Sequence, residues 1–360
     1  MNVFIRADAS VTIGTGHVMR CLALAKAARL HGMTVHFVCR EHNGAALDLI
    51  EAAGFALHRL PITGEAPLPA GYEGWLGETW QQDAARTARV IRDEVGEADW
   101  LVVDHYGIDE RWEKALRPVA HRIFVIDDLA DRRHDCDLLL DQNLRSENAP
   151  YQGLAPPSAT VLIGPSYALL RDEFRQSRAR ASVRTGVVKQ VVVFFGGSDP
   201  TNETEKAIEA IRRLNPAGIE VDVIVGASNP MKERIAALCA DLPYMRFHCQ
   251  VDDMAHFLVD ADLALGAAGV SSWERLALGV PALVAAVADN QIENMRQLDE
   301  LGVAVGLGVS RNVTVEGLAQ AIGNLLSSPR IVSAMSEKAL GLVDGEGVSR
   351  VVDRLVEVVA

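Results

Sequence analysis

Twice along this chain a β-branched or apolar run ends in a glycine-bearing loop that leads into a helical pattern. Val3 to Arg6 precedes Gly14-Thr-Gly16 and the apolar stripe Val18, Cys21, Leu22, Ala25 and Ala28; Val191 to Phe195 precedes Gly196-Gly197. Further short runs, at Val35 to Val38, Trp100 to Val103, Ile123 to Ile126, Val221 to Val225, Leu263 to Leu265 and Ala282 to Ala285, alternate with helical stretches. That alternation predicts parallel sheets covered by helices on both faces.

The pattern weakens between Asp141 and Val188, where Asn148-Ala-Pro, Ala155-Pro-Pro and the charged run Arg171 to Arg184 fall, and it restarts at Val191. The expected fold class is α/β, with two Rossmann-like doubly wound domains at 1–168 and 186–326. Ligands of such sheets bind beyond the carboxyl ends of the strands, so the expected active site is the interdomain cleft. After Thr314 the strand signals stop. Residues 327–360 are expected to be helices that enlarge the second domain or pack back across the cleft. With 360 residues and an apolar share of 49%, each domain can bury a core.

Charge and cysteine usage narrow the partners. A net charge of -13 repels nucleic acid and anionic membranes. The longest uncharged run, Leu276 to Ala288, is broken by Gly279 and Pro281 and is shorter than the ~20 residues that span a bilayer. Met1 to Ile5, followed by Arg6 and Asp8, is too short for a signal peptide. Five cysteines without a Cys-x-x-Cys pair read as core thiols in a reducing compartment. A cytoplasmic protein with no membrane insertion is expected.

Three motifs carry chemistry. In Gly14 to Ala25 the glycines let a ligand approach the backbone, but Met19 stands at the third glycine position of a dinucleotide fingerprint and Glu41 is a poor ribose acid. His17 lies at the helix start, where the dipole favours a neutral ring; it is either a general base or a polar helix-terminal residue. Phe194 to Asn202 offers Gly197 and Ser198 at a second helix start, favouring a diphosphate site over capping alone. In Gly266 to Asn294, Glu274 can take both hydroxyls of a ribose or complete a capping box with Ser271. Asn290, Gln291 and Asn294 suit sugar hydroxyls or acetamido groups, or plain loop chemistry. Asp127-Asp128 and Asp135-Cys136-Asp137 flank Arg132, Arg133 and His134, which disfavours a metal; a solvated, salt-bridged turn is expected. His121, His134, His248 and His256 read as structural.

With these motifs in place the chain resembles the UDP-2,4-diacetamido-2,4,6-trideoxy-β-L-altropyranose hydrolases of pseudaminic acid biosynthesis. The resemblance rests on Ile5 to Ala25, Val102 to Asp109, Ile126 to Asn143, Gly164 to Phe174, Phe194 to Asn202 and Gly266 to Asn294. It implies a glycosyltransferase-B-like fold, no metal or redox cofactor, and inverting attack of water on C1 of a UDP-sugar. His17 matches the family's general base and Tyr106 its active-site tyrosine, although His105 stands where the familiar pattern has a serine. Glu274 matches a ribose-binding glutamate, Asn290 or Asn294 a substrate-contacting asparagine, and Asn202 a nucleotide contact. The competing readings are a glycosyltransferase with a UDP-sugar donor and a noncatalytic nucleotide-sugar-binding protein.

Overall fold

The computed structural model describes residues 1–62, 70–145 and 149–357. Asn148, part of the expected interdomain break, and the last residues of the expected tail, 358–360, lie outside the described residues. The chain forms two compact units, one of residues 1–171 with 347–360, the other of residues 172–346.

The first unit is built on β1 (Asn2–Ala7), β2 (Thr34–Arg40), β3 (Ala56–Leu60), β4 (Ala98–Asp104), β5 (Ala120–Ile126), β6 (Leu138–Asp141) and β7 (Thr160–Ile163). They pair in the order β3-β2-β1-β4-β5-β6-β7, every pair parallel. Alternate residues of the central strands feed two cores. Val3, Ile5, Phe37, Trp100 and Val102 meet Val18, Cys21, Leu22, Ala25 and Ala28 of helix Gly16–Leu30. Phe4, Val38, Leu101 and Val103 meet Ala84, Ala88 and Ile91 of helix Trp80–Val95, with Trp112 of helix Glu110–Leu116.

The second unit repeats the plan with β8 (Gln190–Phe194), β9 (Glu220–Val225), β10 (Met245–Cys249), β11 (Leu263–Ala267), β12 (Ala282–Ala286) and β13 (Ala304–Val309). Its order is β10-β9-β8-β11-β12-β13, again all parallel.

The carboxyl tail divides between the two units. Helix Pro329–Leu342 puts Val332 and Met335 into the core of the second. Helix Gly347–Glu357 returns to the first, because Val348, Val351, Val352 and Leu355 share one helical face and fill its core. Trp100 Nε1 donates to the Leu355 carbonyl at 3.1 Å, fixing the helix against β4. The chain passes from the first unit to the second after Arg171 and back after Glu346, within residues 327–360.

Candidate active site

In the first sheet the chain runs outward from β1 through β2 and β3, then crosses back to β4 on the other side of β1. The loops after β1 and β4 therefore open beside each other at the carboxyl edge, where a doubly wound sheet leaves a crevice. Gly14 shapes the first loop: its φ of +78° suits glycine, and its N–H donates to the Ser10 carbonyl at 2.8 Å. Gly16 opens the helix and Thr15 caps it without a side-chain bond, so His17 sits in the first turn, facing the end of β4.

His17 is buried, and its Nδ1 lies 2.6 Å from Oδ1 of Asp104, the last residue of β4. Arg20, one helical turn on, grips the same carboxylate, Nε to Oδ2 and Nη2 to Oδ1, both at 2.7 Å. Burial pushes the Asp104 carboxyl up, but Arg20 and His17 outweigh it and hold the group well below the usual carboxylate range. An ionised carboxylate only accepts, so the His17 Nδ1–H is the donor, and in the neutral ring the lone pair lies on Nε2.

Tyr106 closes the cluster. Its Oη donates to Asp128 Oδ2 at 2.7 Å, and its ring meets His17 edge to face, 4.6 Å between centroids at 83°. Burial, and then Asp128, push the phenol well above its ordinary range, so Tyr106 stays a donor. Asp128 is also held by Arg20 Nη1 at 2.7 Å and Asn143 Nδ2 at 2.9 Å. His17, Asp104, Arg20, Asp128 and Tyr106 thus form one continuous network.

The acidic pair Asp127-Asp128 is salt-bridged, as expected, but buried and not solvated. Asp127 pairs with Arg132 at 2.8 Å and accepts from Tyr151 Oη at 3.0 Å. The second pair meets the expectation more closely: Asp135 and Asp137 are part-exposed and bind Arg117 at 2.9 and 2.6 Å. His134 faces Glu113 at 2.7 Å and His248 faces Asp222 at 2.8 Å. His105 turns inward; Gly107 N–H donates to its Nδ1 at 3.0 Å, and its Nε2 lies 3.3 Å from Asp8. Among the described residues one group has metal-ligand proximity, His36, His58 and Glu94. Its imidazoles face each other, Nδ1 to Nε2, at 3.2 Å, the length of an N–H···N hydrogen bond.

The second sheet reverses order between β8 and β11, so the loops after these strands are the corresponding pair. After β8, Gly197 accepts from Gly226 N–H at 2.9 Å, and Ser198 is half-buried. The helix that follows, Glu203–Leu214, is already capped: Asp199 accepts from Glu203 and Thr204 N–H at 3.0 and 2.8 Å. Capping therefore accounts for that helix start, leaving only the Gly196-Gly197-Ser198 backbone for an anion. Asn202 donates to Glu205 at 2.7 Å.

After β11 the outcome is the reverse. Helix Ser271–Ala277 begins at Ser271 with Val270 as its cap, no side chain caps it, and Ser271 Oγ accepts from Arg275 Nη1 at 3.1 Å. The capping box between Ser271 and Glu274 is not formed. Arg275, buried beside it, also binds the Ala267 carbonyl and Ser272; burial lowers its guanidinium to about 10 despite Glu274. Asn294 is buried and donates to the Ala268 carbonyl at 2.6 Å, while Asn290 and Gln291 are half-buried in the adjoining loop. Gln291 Oε1 accepts from Val287 N–H at 3.2 Å, and its amide lies against Gly269. Arg20, Asp104, Asp128 and Arg275 were not singled out as site residues in the sequence; an Arg one turn after His17, and an acid closing a strand before His105-Tyr106, were the available signals.

Two parallel-sheet α/β domains of this construction define a glycosyltransferase-B fold. MurG of Acinetobacter baumannii superposes with a TM-score of 0.66 over 99% of both chains at 18% identity, and the UDP-bound MnaA of Staphylococcus aureus with 0.68 over 99% of this chain and 96% of that one at 14%. No protein-family model matches the chain. It is 28% identical to the UDP-2,4-diacetamido-2,4,6-trideoxy-β-L-altropyranose hydrolase of Campylobacter jejuni, over 65% of this chain and 73% of that protein. It is 27% identical to the spore coat polysaccharide biosynthesis protein SpsG of Bacillus subtilis over 52% of this chain, a match that takes in 56% of the SpsG length. A third relative, at 25% identity over 94% of this chain and 92% of its own length, is the UDP-N-acetylglucosamine--N-acetylmuramyl-(pentapeptide) pyrophosphoryl-undecaprenol N-acetylglucosamine transferase of Chromohalobacter salexigens. Among the described residues no helix is long and apolar enough to cross a membrane.

Proposed function

We propose that the chain is a UDP-sugar hydrolase that releases UDP and a free 2,4-diacetamido-2,4,6-trideoxy hexose, in the manner named for the Campylobacter relative. The carrying observation is the His17–Asp104–Arg20 arrangement, which directs the His17 Nδ1–H into a carboxylate and leaves Nε2 as the base. A water O–H gives its proton to Nε2 as the oxygen bonds to C1 from the face opposite the nucleotide. The C1–O bond breaks, its electron pair leaves with UDP, and the sugar inverts. Asp104 then sits against the imidazolium and stabilises it, as a buried carboxylate does behind a catalytic histidine. Tyr106, held as a phenol whose O–H goes to Asp128, keeps an oxygen lone pair to accept from the sugar.

In this reading Glu274 takes the ribose, Gly197 and Ser198 approach the diphosphate, and Asn290 faces the substrate. Asn202, Gln291 and Asn294, whose amides are engaged internally, serve as supports. UDP is a good leaving group, so no metal is required, and turnover persists in excess EDTA; loss on chelation with rescue by magnesium or manganese would remove that part of the proposal. Incubation with the UDP-linked diacetamido sugar, followed by proton and phosphorus NMR in oxygen-18 water, tests the reaction: label belongs on C1 of the sugar and not in UDP. The transferase relative favours a second reading, a glycosyltransferase using a UDP-sugar donor, which predicts turnover only when an acceptor is added. A noncatalytic sensor predicts binding without turnover in either case.

A further inference from the structure

The proposed base does not stand against an open polar wall. Beside it, the short turn Gly71–Leu76 carries Tyr72 and Trp75, both half-buried. Trp75 stacks on Tyr106 with centroids 5.6 Å apart at 26°. Tyr72 meets Tyr106 edge-on at 5.2 Å and Trp75 at 4.8 Å. With Tyr106 against His17, the rings make a continuous aromatic surface running from the base outward.

The surface is anchored at three points. Leu76 is buried in the core beneath helix Trp80–Val95. Glu73 binds Arg111 at 2.7 Å. The Tyr72 carbonyl packs so closely on Gly107 that a Cβ there would come within 2.5 Å of it, so the residue after Tyr106 has to be glycine. Rings fixed in this way are preorganised, and a ligand does not have to order them. Aromatic faces attract the weakly positive C–H groups of a saturated ring and its methyl substituents, and offer a hydroxyl only a weak O–H···π contact in place of its hydrogen bonds to water.

Resting on the hydrolase reading above, we infer that Tyr72 and Trp75 receive the methyl-bearing face of the sugar and make this site selective for 6-deoxy, N-acetylated hexoses over their 6-hydroxy counterparts. A C6 methyl placed on Trp75 gains contact, whereas a 6-hydroxyl there loses its water for only that weak contact.

The test compares wild type with Trp75→Ala, Trp75→Leu and Trp75→Phe on the UDP-linked diacetamido trideoxy sugar and on UDP-N-acetylglucosamine, with circular dichroism as a check on folding. Trp75→Ala raises KM for the deoxy sugar about tenfold while kcat changes little, Trp75→Phe recovers most of the loss, and the deoxy-over-hydroxy preference narrows with the ring's removal. Trp75→Leu keeps apolar volume without the ring and replaces the alanine variant if that fails to fold. If wild type turns over the deoxy sugar and the Trp75 variants match it in KM and preference, the inference is wrong and the hydrolase reading stands. Should wild type turn over neither sugar, the hydrolase reading falls. Calorimetric Kd values for the deoxy sugar then decide the inference: weaker binding by Trp75→Ala and Trp75→Leu supports it, and equal or absent binding overturns it.

Discussion

Arg20 grips both oxygens of Asp104 at 2.7 Å, and this grip aims the carboxylate at His17. Asp104→Asn keeps the shape but offers a side-chain amide that can present its NH₂ to His17 and favour the wrong tautomer. The expected result is a fall in kcat of about 10²-fold or more with KM nearly unchanged. Arg20 and Asp128 remain paired in this variant, so folding survives; a parallel rise in KM would show the carboxylate acting on substrate binding instead.

A second buried network sets the protein's response to acid. Arg6 binds Asp8 at 2.5 Å and Asp83 at 2.7 Å, and Arg40 reaches Asp83 at 2.7 Å, all of them fully buried. Burial pushes the Asp8 and Asp83 carboxyls up, but the Arg6 guanidinium overcomes it and holds both below their usual range. A carboxyl lowered in the folded state adds stability above its unfolded pKa of about 3.9 and loses it as pH falls toward the folded value. Urea midpoints should therefore hold between neutrality and about pH 5 and drop steeply below about pH 4. Asp83→Asn leaves Arg6 on Asp8 and Arg40 on Glu78 but removes the carboxylate that both guanidinium groups share, and should cost about 1.5–3 kcal/mol at pH 7, read from the same urea curves.

The strands legible in the sequence are the central ones, β1, β2, β4, β5, β8, β9, β11 and β12, because burial on both faces demands continuous apolar runs. Four of the five that were missed, β3, β7, β10 and β13, are sheet edges. There one side of the strand meets solvent, and residues such as His58 and Arg59 in β3 or Arg246 and His248 in β10 break the run. β6 is missed for a different reason: it is four residues long and lies among aspartates. His17, directly after a glycine loop, reads in the sequence as a base or as a helix-terminal residue alike, and only the fold shows it against Asp104. Asp104 was not legible as a site residue, since an acid closing an apolar run looks like ordinary strand punctuation until the fold brings helix Gly16–Leu30 across it.

Glu274 tests the ribose role in the second unit. Glu274→Gln keeps the side chain's length and one hydrogen-bonding oxygen, so the fold should persist. A charge-assisted pair of hydrogen bonds to a vicinal diol is worth about 1.5–3 kcal/mol, so UDP affinity should fall about tenfold or more by calorimetry. Asn290→Ala should weaken the UDP-sugar and leave the melting temperature alone. Asn294→Ala should do the opposite, because its amide ties the second polar loop to the Ala268 carbonyl. Unaltered UDP binding by Glu274→Gln would remove the ribose role.

The decisive substitution is at His17. His17→Asn keeps a short amide able to donate to Asp104, so the buried network retains a partner on that side and the fold should persist. The asparagine amide cannot take a proton from water. Losing a general base costs about 10² to 10⁴ in rate, so kcat should collapse while affinity for the UDP-sugar changes little. Near-normal kcat in the variant would exclude His17 as the base and leave the histidine an orienting role.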